Sequence, residues 1–401
     1  MKVTIKPGVA TGKIKAPPSK SCAHRLLICA ALAKGESVIE NIGTNEDISA
    51  TVSCLKELGA KIDIVDNKAI VCGIDTDKRK ESRNLFCNES GSTLRFLIPL
   101  SLIFSEHVSF SGSERLLERP QSVYEMIFPK MGCYIRKEGN VLVAGGELKS
   151  GVYEMRGDVS SQFLTGLMLA LPLLDGDSEI ILTTPLQSAP YVDITVDVLS
   201  AFGVEIRKTN VGFYIKGNQQ YKARNLIVEG DWSNAAFLEA FNLVGGNVTV
   251  DGMNNESYQG DKVYREYFIA LKNGTPTLDI TDCPDLGPIL IVCAVLCNGA
   301  VLKGTKRLKI KESDRGVAMK TELSKFGVDI TVNDNEIIIP KTSLQVSKEK
   351  LNCHNDHRIA MSLAVLCSKV GGILENAQCV SKSYPEFFDD IKALGIKYDI
   401  I

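Results

Sequence analysis

The sequence predicts an α/β protein of two similar domains, each assembled from three copies of one strand-and-helix unit. Three observations carry that prediction. The chain has 401 residues, more than one hydrophobic core normally organises. A helix ending of the form apolar, two or three residues, apolar, Gly recurs six times, the mark of a repeat architecture. A helix that is apolar on nearly all sides precedes each ending, and such helices belong in the interior.

Taken in order, the first unit has an apolar helix at 23–33, a strand at 36–40, an amphipathic helix ending Leu55-Lys56-Glu57-Leu58-Gly59 and an alternating strand at 60–64. The second has its apolar helix at 94–104 and its ending at 127–132. The third has a helix at 163–174, a strand at 178–182 and an ending at 199–203. In the fourth these lie at 235–244, 247–250 and 271–274, and in the fifth at 289–296, 300–302 and 323–327, with a further strand at 328–332. The sixth has a helix at 359–370 and an ending at 391–395. Successive closing glycines lie 73, 71, 71, 53 and 68 residues apart, so the unit is about 70 residues long. Each closing Gly is expected to cap its helix in the left-handed conformation. Sheets outside three interior helices would bury those helices completely, giving two three-unit domains.

Bulk composition narrows the function classes. Apolar residues make up 44% and charged residues 23% of the chain, which is ordinary folded α/β material. A formal net charge of -2 gives no reason to expect a nucleic-acid or membrane-surface partner. The start, Met1-Lys2-Val3-Thr4-Ile5-Lys6-Pro7, lacks the apolar centre of a secretory signal, which predicts a cytoplasmic protein. The apolar runs at 163–174 and 289–297 fall short of the ~20 residues that span a bilayer. Twelve cysteines without a CxxC pair read as reduced core thiols.

The helix starts carry the chemistry. Pro17-Pro18-Ser19-Lys20-Ser21, Glu89-Ser90-Gly91-Ser92-Thr93-Leu94-Arg95, Asp158-Val159-Ser160-Ser161-Gln162, Asp231-Trp232-Ser233-Asn234, Asp282-Cys283-Pro284-Asp285 and Asn355-Asp356-His357-Arg358 open the apolar helices. Ser, Asp and Pro there are normal capping chemistry. The cations are not. Lys20, Arg25, Arg95, Arg119, Lys311, Arg315, Arg358 and Lys382 are expected in or just beyond first turns, where the macrodipole opposes positive charge. Repetition of that arrangement makes sense if helix N-termini and basic side chains together surround an anion. The expected ligand is a small molecule with phosphate and carboxylate groups, enclosed as the two domains close. The chain has neither a glycine-rich P-loop nor a strand-linked GxGxxG, so neither a nucleoside triphosphate nor a dinucleotide is indicated. His354 and His357 have HxxH spacing without a further ligand cluster and are read as non-metal residues.

These motifs resemble a known family. Pro18-Ser19-Lys20-Ser21-Cys22-Ala23-His24-Arg25 and Leu308-Lys309-Ile310-Lys311-Glu312-Ser313-Asp314-Arg315 are similar to the two signatures of EPSP synthases. Glu118-Arg119-Pro120, Val159-Ser160-Ser161-Gln162-Phe163, Ser188-Ala189-Pro190-Tyr191, Pro284-Asp285, Asn355-Asp356-His357-Arg358 and Ser381-Lys382-Ser383-Tyr384-Pro385 follow in family order, from residue 17 to 385. The resemblance implies two inside-out α/β barrel-like domains, each of three βαβαββ repeats. A double chain crossover would join 1–18 and 229–401 into one domain and leave 19–228 as the other.

The implied reaction moves the enolpyruvyl group of phosphoenolpyruvate to the 5-hydroxyl of shikimate 3-phosphate, without metal or organic cofactor, in an enzyme expected to be a monomer. By resemblance Lys20, Ser21, Arg25, Ser160, Ser161, Gln162, Ser188, Asp285 and Lys311 would bind shikimate 3-phosphate. Phosphoenolpyruvate would meet Lys20, Gly91, Arg119, Gln162, Arg315, Arg358 and Lys382. Hydroxyls suit phosphate and ring oxygens, arginines clamp anions bidentately, and Gly91 permits close backbone approach. Asp285 and Glu312, with Lys20 as a third participant, are the implied proton carriers. Acids among cations move protons both ways when their pKa values are tuned.

Alternatives stand beside this. Asp285 can be an N-cap and Glu312 an exposed helix-start charge. The chain departs from the family pattern at Glu89, where Asn is usual, at Arg307 and at Phe96. Rival functions are a UDP-N-acetylglucosamine enolpyruvyl transferase, whose Lys-Asn pair and loop cysteine are missing at Lys20-Ser21 and in 111–120, and a non-catalytic anion-binding scaffold.

Overall fold

The computed structural model describes residues 1–75 and 80–401. These form two compact units: Pro18–Glu229, and the two chain ends together, Met1–Pro17 with Gly230–Ile401. Each has its own hydrophobic core.

The contiguous unit holds three four-stranded sheets of one plan, a parallel pair followed by two antiparallel partners. In the second sheet Lys80–Phe86 runs parallel to Ser105–Ser111, which pairs antiparallel with Val141–Gly146 and that with Cys133–Glu138. The third repeats this with Val152–Met155, Ser178–Leu182, Gly212–Ile215 and Ile206–Lys208. The first sheet takes its leading strand from the far end of the unit: Asn225–Ile227 runs parallel to Glu36–Glu40, which pairs with Lys68–Cys72 and then Lys61–Val65. The three repeats thus complete one another in a ring of sequence.

In the other unit, Thr277–Asp279, Ala300–Lys303, Glu336–Ile339 and Thr331–Val332 follow the same plan. So do Lys350–Asn352, Gly372–Glu375, Lys2–Ile5 and Tyr398–Ile400. The remaining sheet has only the parallel pair Thr11–Lys15 and Asn247–Asp251. Its hairpin is missing for a simple reason: the helix Tyr264–Asn273 is followed after three residues by the next repeat's strand, Thr277–Asp279. Gly274 accordingly leaves that helix in extended backbone, φ 168°, and not in the left-handed cap adopted by Gly59, Gly132, Gly203, Gly327 and Gly395.

The apolar helices Lys20–Leu32, Gly91–Phe104, Ser161–Ala170, Trp232–Glu239, Gly287–Leu296 and His357–Val370 are interior, as their sequences predict. Capping side chains start most of them: Ser19, Ser90, Ser160, Asp231 and Asp356 each accept a first-turn backbone N–H. Pro99 lies inside Gly91–Phe104 and removes one helical donor. The carbonyl left over is that of Arg95, and the buried Tyr124 hydroxyl donates to it at 2.7 Å, with Phe163 O also within reach of the same hydrogen at 3.1 Å. The two helices approach so closely there that a Cβ on Gly166 would lie 2.3 Å from Tyr124 Oη and 2.5 Å from Arg95 O.

Candidate active site

The unit containing both chain ends gathers five of the expected residues into one charged cluster. Asp285 sits in the short turn Pro284–Leu286 ahead of Gly287–Leu296 and caps no helix. Its Oδ1 accepts from Lys311 Nζ at 3.0 Å and from Arg315 Nη1 at 2.8 Å, while Arg358 Nη2 stands 3.5 Å from Oδ2. Arg315 is the first residue of Arg315–Ser324, 1% exposed, and its fork is divided among carboxylates. Nη2 donates to Glu312 at 2.8 Å and Nε to Asp356 Oδ2 at 2.9 Å. Glu312 is therefore no free surface charge, its side chain being 18% exposed and bonded to Arg315.

Burial alone would raise the Asp285 carboxyl, but Lys311, Arg358 and Arg315 outweigh it and hold the group well below the usual carboxylate range. Lys311 shows the reverse balance. Burial, with Arg315 nearby, lowers its ammonium despite the attraction of Asp285. Arg315 loses some proton affinity to burial and regains more from Asp356, Glu312 and Asp285, so it stays charged.

Second-layer partners fix the remaining cations of this unit. Asp356 caps His357–Val370 by accepting from Arg358 N, and also accepts from Ser313 Oγ. Arg358 Nη1 donates to the buried Asn234 Oδ1 at 3.1 Å. Lys382 is not part of the five-residue cluster. It ends the turn Ala377–Lys382 and donates to Asn355 O at 2.5 Å. Glu322, itself buried, accepts from His354 Nε2 at 2.7 Å, Lys325 Nζ at 2.7 Å and Asn352 N at 3.0 Å. His354 is thereby directed to a carboxylate.

In the contiguous unit Lys20 opens Lys20–Leu32, and its ammonium lies 2.7 Å from Asp47 Oδ2 in the first turn of Glu46–Leu58. Arg25 is 2% exposed and is satisfied by oxygens of neutral groups: Thr195 Oγ1, Ser21 O, Thr165 Oγ1 and Tyr191 O. Burial brings it down to about 10, so it remains a cation at neutral pH. Its guanidinium covers the ring of Phe96 at 5.0 Å, which gives that departure from the family pattern a packing role.

Arg119 follows the short helix Glu114–Glu118, and its guanidinium packs directly on Gly91. Gln162 is held at both ends, Oε1 accepting from Arg95 Nη1 at 2.8 Å and Nε2 donating to Ser92 Oγ at 3.1 Å. Ser160 caps the helix that begins at Ser161. Ser188 precedes Ala189–Ala201 in the left-handed region, φ 58°, and is 2% exposed. Such a conformation in a residue with a Cβ is uncommon and is held by surrounding structure.

One expectation needs adjustment. Arg119, Lys311 and Lys382 lie on segments between helices, neither in first turns nor just beyond them. Sequence reasoning passed over Asp47, counted Arg95 only as a cation near the anion, and gave Asp356 and Asn234 no role beyond the helix start, whereas these four hold Lys20, Gln162, Arg315 and Arg358 in place. Asp47 looks like any first-turn acid that complements the helix dipole, and Asp356 like any N-cap. Arg307 is 8% exposed and donates to Thr281 O, a local structural bond.

Comparison with known proteins places these sites in context. The description EPSP synthase (3-phosphoshikimate 1-carboxyvinyltransferase) belongs to the family whose profile matches residues 5–391. A 3-phosphoshikimate 1-carboxyvinyltransferase of Clostridium botulinum (strain Eklund 17B / Type B) is 43% identical over 419 residues, covering 98% of this chain and 96% of that one. One from Clostridium kluyveri is 41% identical over 424 residues, covering 99% and 98%. Among solved structures, EPSP synthase from Acinetobacter baumannii superposes with a TM-score of 0.78 at 22% identity, covering 99% of both chains. The repeated α/β units and these relatives define a transferase. The chain belongs to the EPSP synthase, or 3-phosphoshikimate 1-carboxyvinyltransferase, family.

Proposed function

We propose that the chain transfers the enolpyruvyl group of phosphoenolpyruvate to the 5-hydroxyl of shikimate 3-phosphate, releasing phosphate. Family membership supports the two substrates. One observation carries the proposed chemistry: Asp285 is kept ionised by Lys311, Arg315 and Arg358, with Glu312 on the same arginine.

The reaction forms a bond between the 5-oxygen and C2 of phosphoenolpyruvate while C3 gains a proton. Asp285 takes the hydroxyl proton. It is a poor base while three cations hold it, so a ligand that draws Lys311 away raises its affinity for a proton. In this reading Lys311 turns to shikimate 3-phosphate together with Arg25, Ser21, Ser160, Ser161, Gln162 and Ser188. Glu312 and Lys20 deliver the proton to C3. The tetrahedral intermediate then loses a proton from the same methyl carbon, and its C–O bond to phosphate breaks. Arg119 over Gly91, with Lys20, Gln162, Arg315, Arg358 and Lys382, holds phosphoenolpyruvate and balances the departing phosphate.

We also propose a cytoplasmic monomer. Twelve free cysteines suit a reducing compartment, no helix among the described residues is long and apolar enough to cross a membrane, and each unit buries its own core. A phosphate-release assay with phosphoenolpyruvate tests the activity. Turnover with shikimate 3-phosphate and none with UDP-N-acetylglucosamine is expected, and the opposite pattern, or release with neither, overturns it.

A further inference from the structure

A line of buried hydrogen bonds runs about one turn below the helix starts that carry Lys20, Asp47 and Gly91. His24 Nδ1 lies 2.8 Å from Thr51 Oγ1, Thr51 Oγ1 lies 2.6 Å from Thr93 Oγ1, and Thr93 Oγ1 lies 2.7 Å from Ser90 Oγ. All four residues have 0% exposure. His24 stands four residues after Lys20 and Thr51 four after Asp47, so each lies below its charged neighbour on the same helix face. Ser90 ends the line by capping the helix that begins at Gly91, accepting from Thr93 N at 3.2 Å.

The line has a direction. Thr93 Oγ1 also stands 3.4 Å from Asp47 O, which can only accept. A hydroxyl has one hydrogen to give. Whether that of Thr93 goes to Ser90 Oγ or to Asp47 O, it is not given to Thr51, so Thr51 donates to Thr93 and His24 Nδ1–H donates to Thr51. Nε2 then keeps its lone pair, and it has no hydrogen-bond partner. The ring instead packs edge-to-face with Phe96, centroids 6.2 Å apart. Burial, and then Lys20 and Arg25 nearby, hold the imidazole well below its ordinary pKa, in keeping with a neutral donor.

We infer that His24 is a positioning residue, which through Thr51 and Thr93 keeps the start of the Gly91 helix in register with that of the Lys20 helix. It thereby shapes the phosphoenolpyruvate pocket. The inference rests on the proposed roles of Lys20 and Gly91. The line crosses three helices in a fully buried region, where loss of one member leaves another donor or acceptor unpaired at a cost in free energy. Part of that cost can be relieved by sliding one helix start against its neighbour, and the reading is that binding of phosphoenolpyruvate reports the slide.

Thr51→Val, which keeps the shape and removes the hydroxyl, is the main test. The KM for phosphoenolpyruvate should rise about fivefold or more while that for shikimate 3-phosphate stays within about twofold, and Thr51→Ser should restore both. In the 15N-labelled wild type, His24 should remain in the Nδ1–H form from about pH 6 to 9 and shift when phosphoenolpyruvate is added. Equal changes in both KM values, no change in either, or an Nε2–H tautomer overturns the inference. If Thr51→Val does not fold, a His24 signal unmoved by phosphoenolpyruvate does so. Failure of the proposed function has a different signature, because the wild type itself then gives no turnover.

Discussion

The guanidinium of Arg119 rests against the Cα of Gly91, so closely that a Cβ there would lie 2.4 Å from Nη1 and 2.8 Å from Cζ. Gly91 does not have positive φ, so the requirement for glycine is one of space. Gly91→Ala should leave the fold intact and push Arg119 aside. With an arginine–anion contact contributing about 1.5–3 kcal/mol, the KM for phosphoenolpyruvate should rise about tenfold or more. Steady-state kinetics with each substrate varied will check this, and an unchanged value separates Arg119 from the ligand.

Asp285→Asn removes the charge and keeps the shape. As the proposed acceptor of the hydroxyl proton, Asp285 should account for a fall in kcat of about 10²–10⁴-fold, with the protein still folded. Single-turnover measurement locates the loss in chemistry or in product release. Near-normal turnover removes Asp285 from the catalytic role.

Lys20 is held by Asp47 through a 2.7 Å ion pair whose side chains are 14% and 9% exposed. Asp47→Asn should loosen the ammonium while retaining the helix start. kcat/KM should fall about tenfold. A fall in melting temperature without a kinetic effect would make the pair purely structural.

Glu322 gives a pH-dependent stability. Burial favours its protonated form, but His354, Lys325 and Asn352 N outweigh that and lower its pKa from 4.5. The folded value is thus below the unfolded one. Its stabilisation is present above about pH 4.5 and is lost as pH falls through the folded value. Glu322→Gln should unfold more readily at neutral pH, by about 3 kcal/mol if the pair behaves as a buried one, and the difference from wild type should shrink below about pH 4. Chemical denaturation at several pH values checks the convergence, and parallel curves would contradict it.

The repeats were legible because an all-apolar helix and a closing glycine are local signals. The six interior helices begin within a few residues of where the apolar runs begin, and strands such as Ser178–Leu182 and Glu36–Glu40 match their predicted bounds. Less visible was the missing hairpin after Gly274, since it depends on how soon Thr277–Asp279 follows. The charged residues were legible individually, as cations where helix dipoles disfavour them. Their pairing was not. Nothing near Arg315 in the sequence shows that Asp356, forty-one residues on, holds its Nε. Likewise Thr51 and Thr93 look like ordinary small helix residues until the three helices that carry His24, Thr51 and Thr93 are seen together.

The strand Lys2–Ile5 lies inside its sheet, between Gly372–Glu375 and Tyr398–Ile400. During synthesis it is made well before either of these neighbours, and waits for them on the order of tens of seconds at ordinary elongation rates. Val3 and Ile5, fully enclosed at the end, stay uncovered throughout that interval. The uninterrupted unit Pro18–Glu229 can reach its own fold meanwhile. A nascent chain stalled shortly before Gly372 would therefore carry one finished body and one that still lacks the partners of its earliest strand.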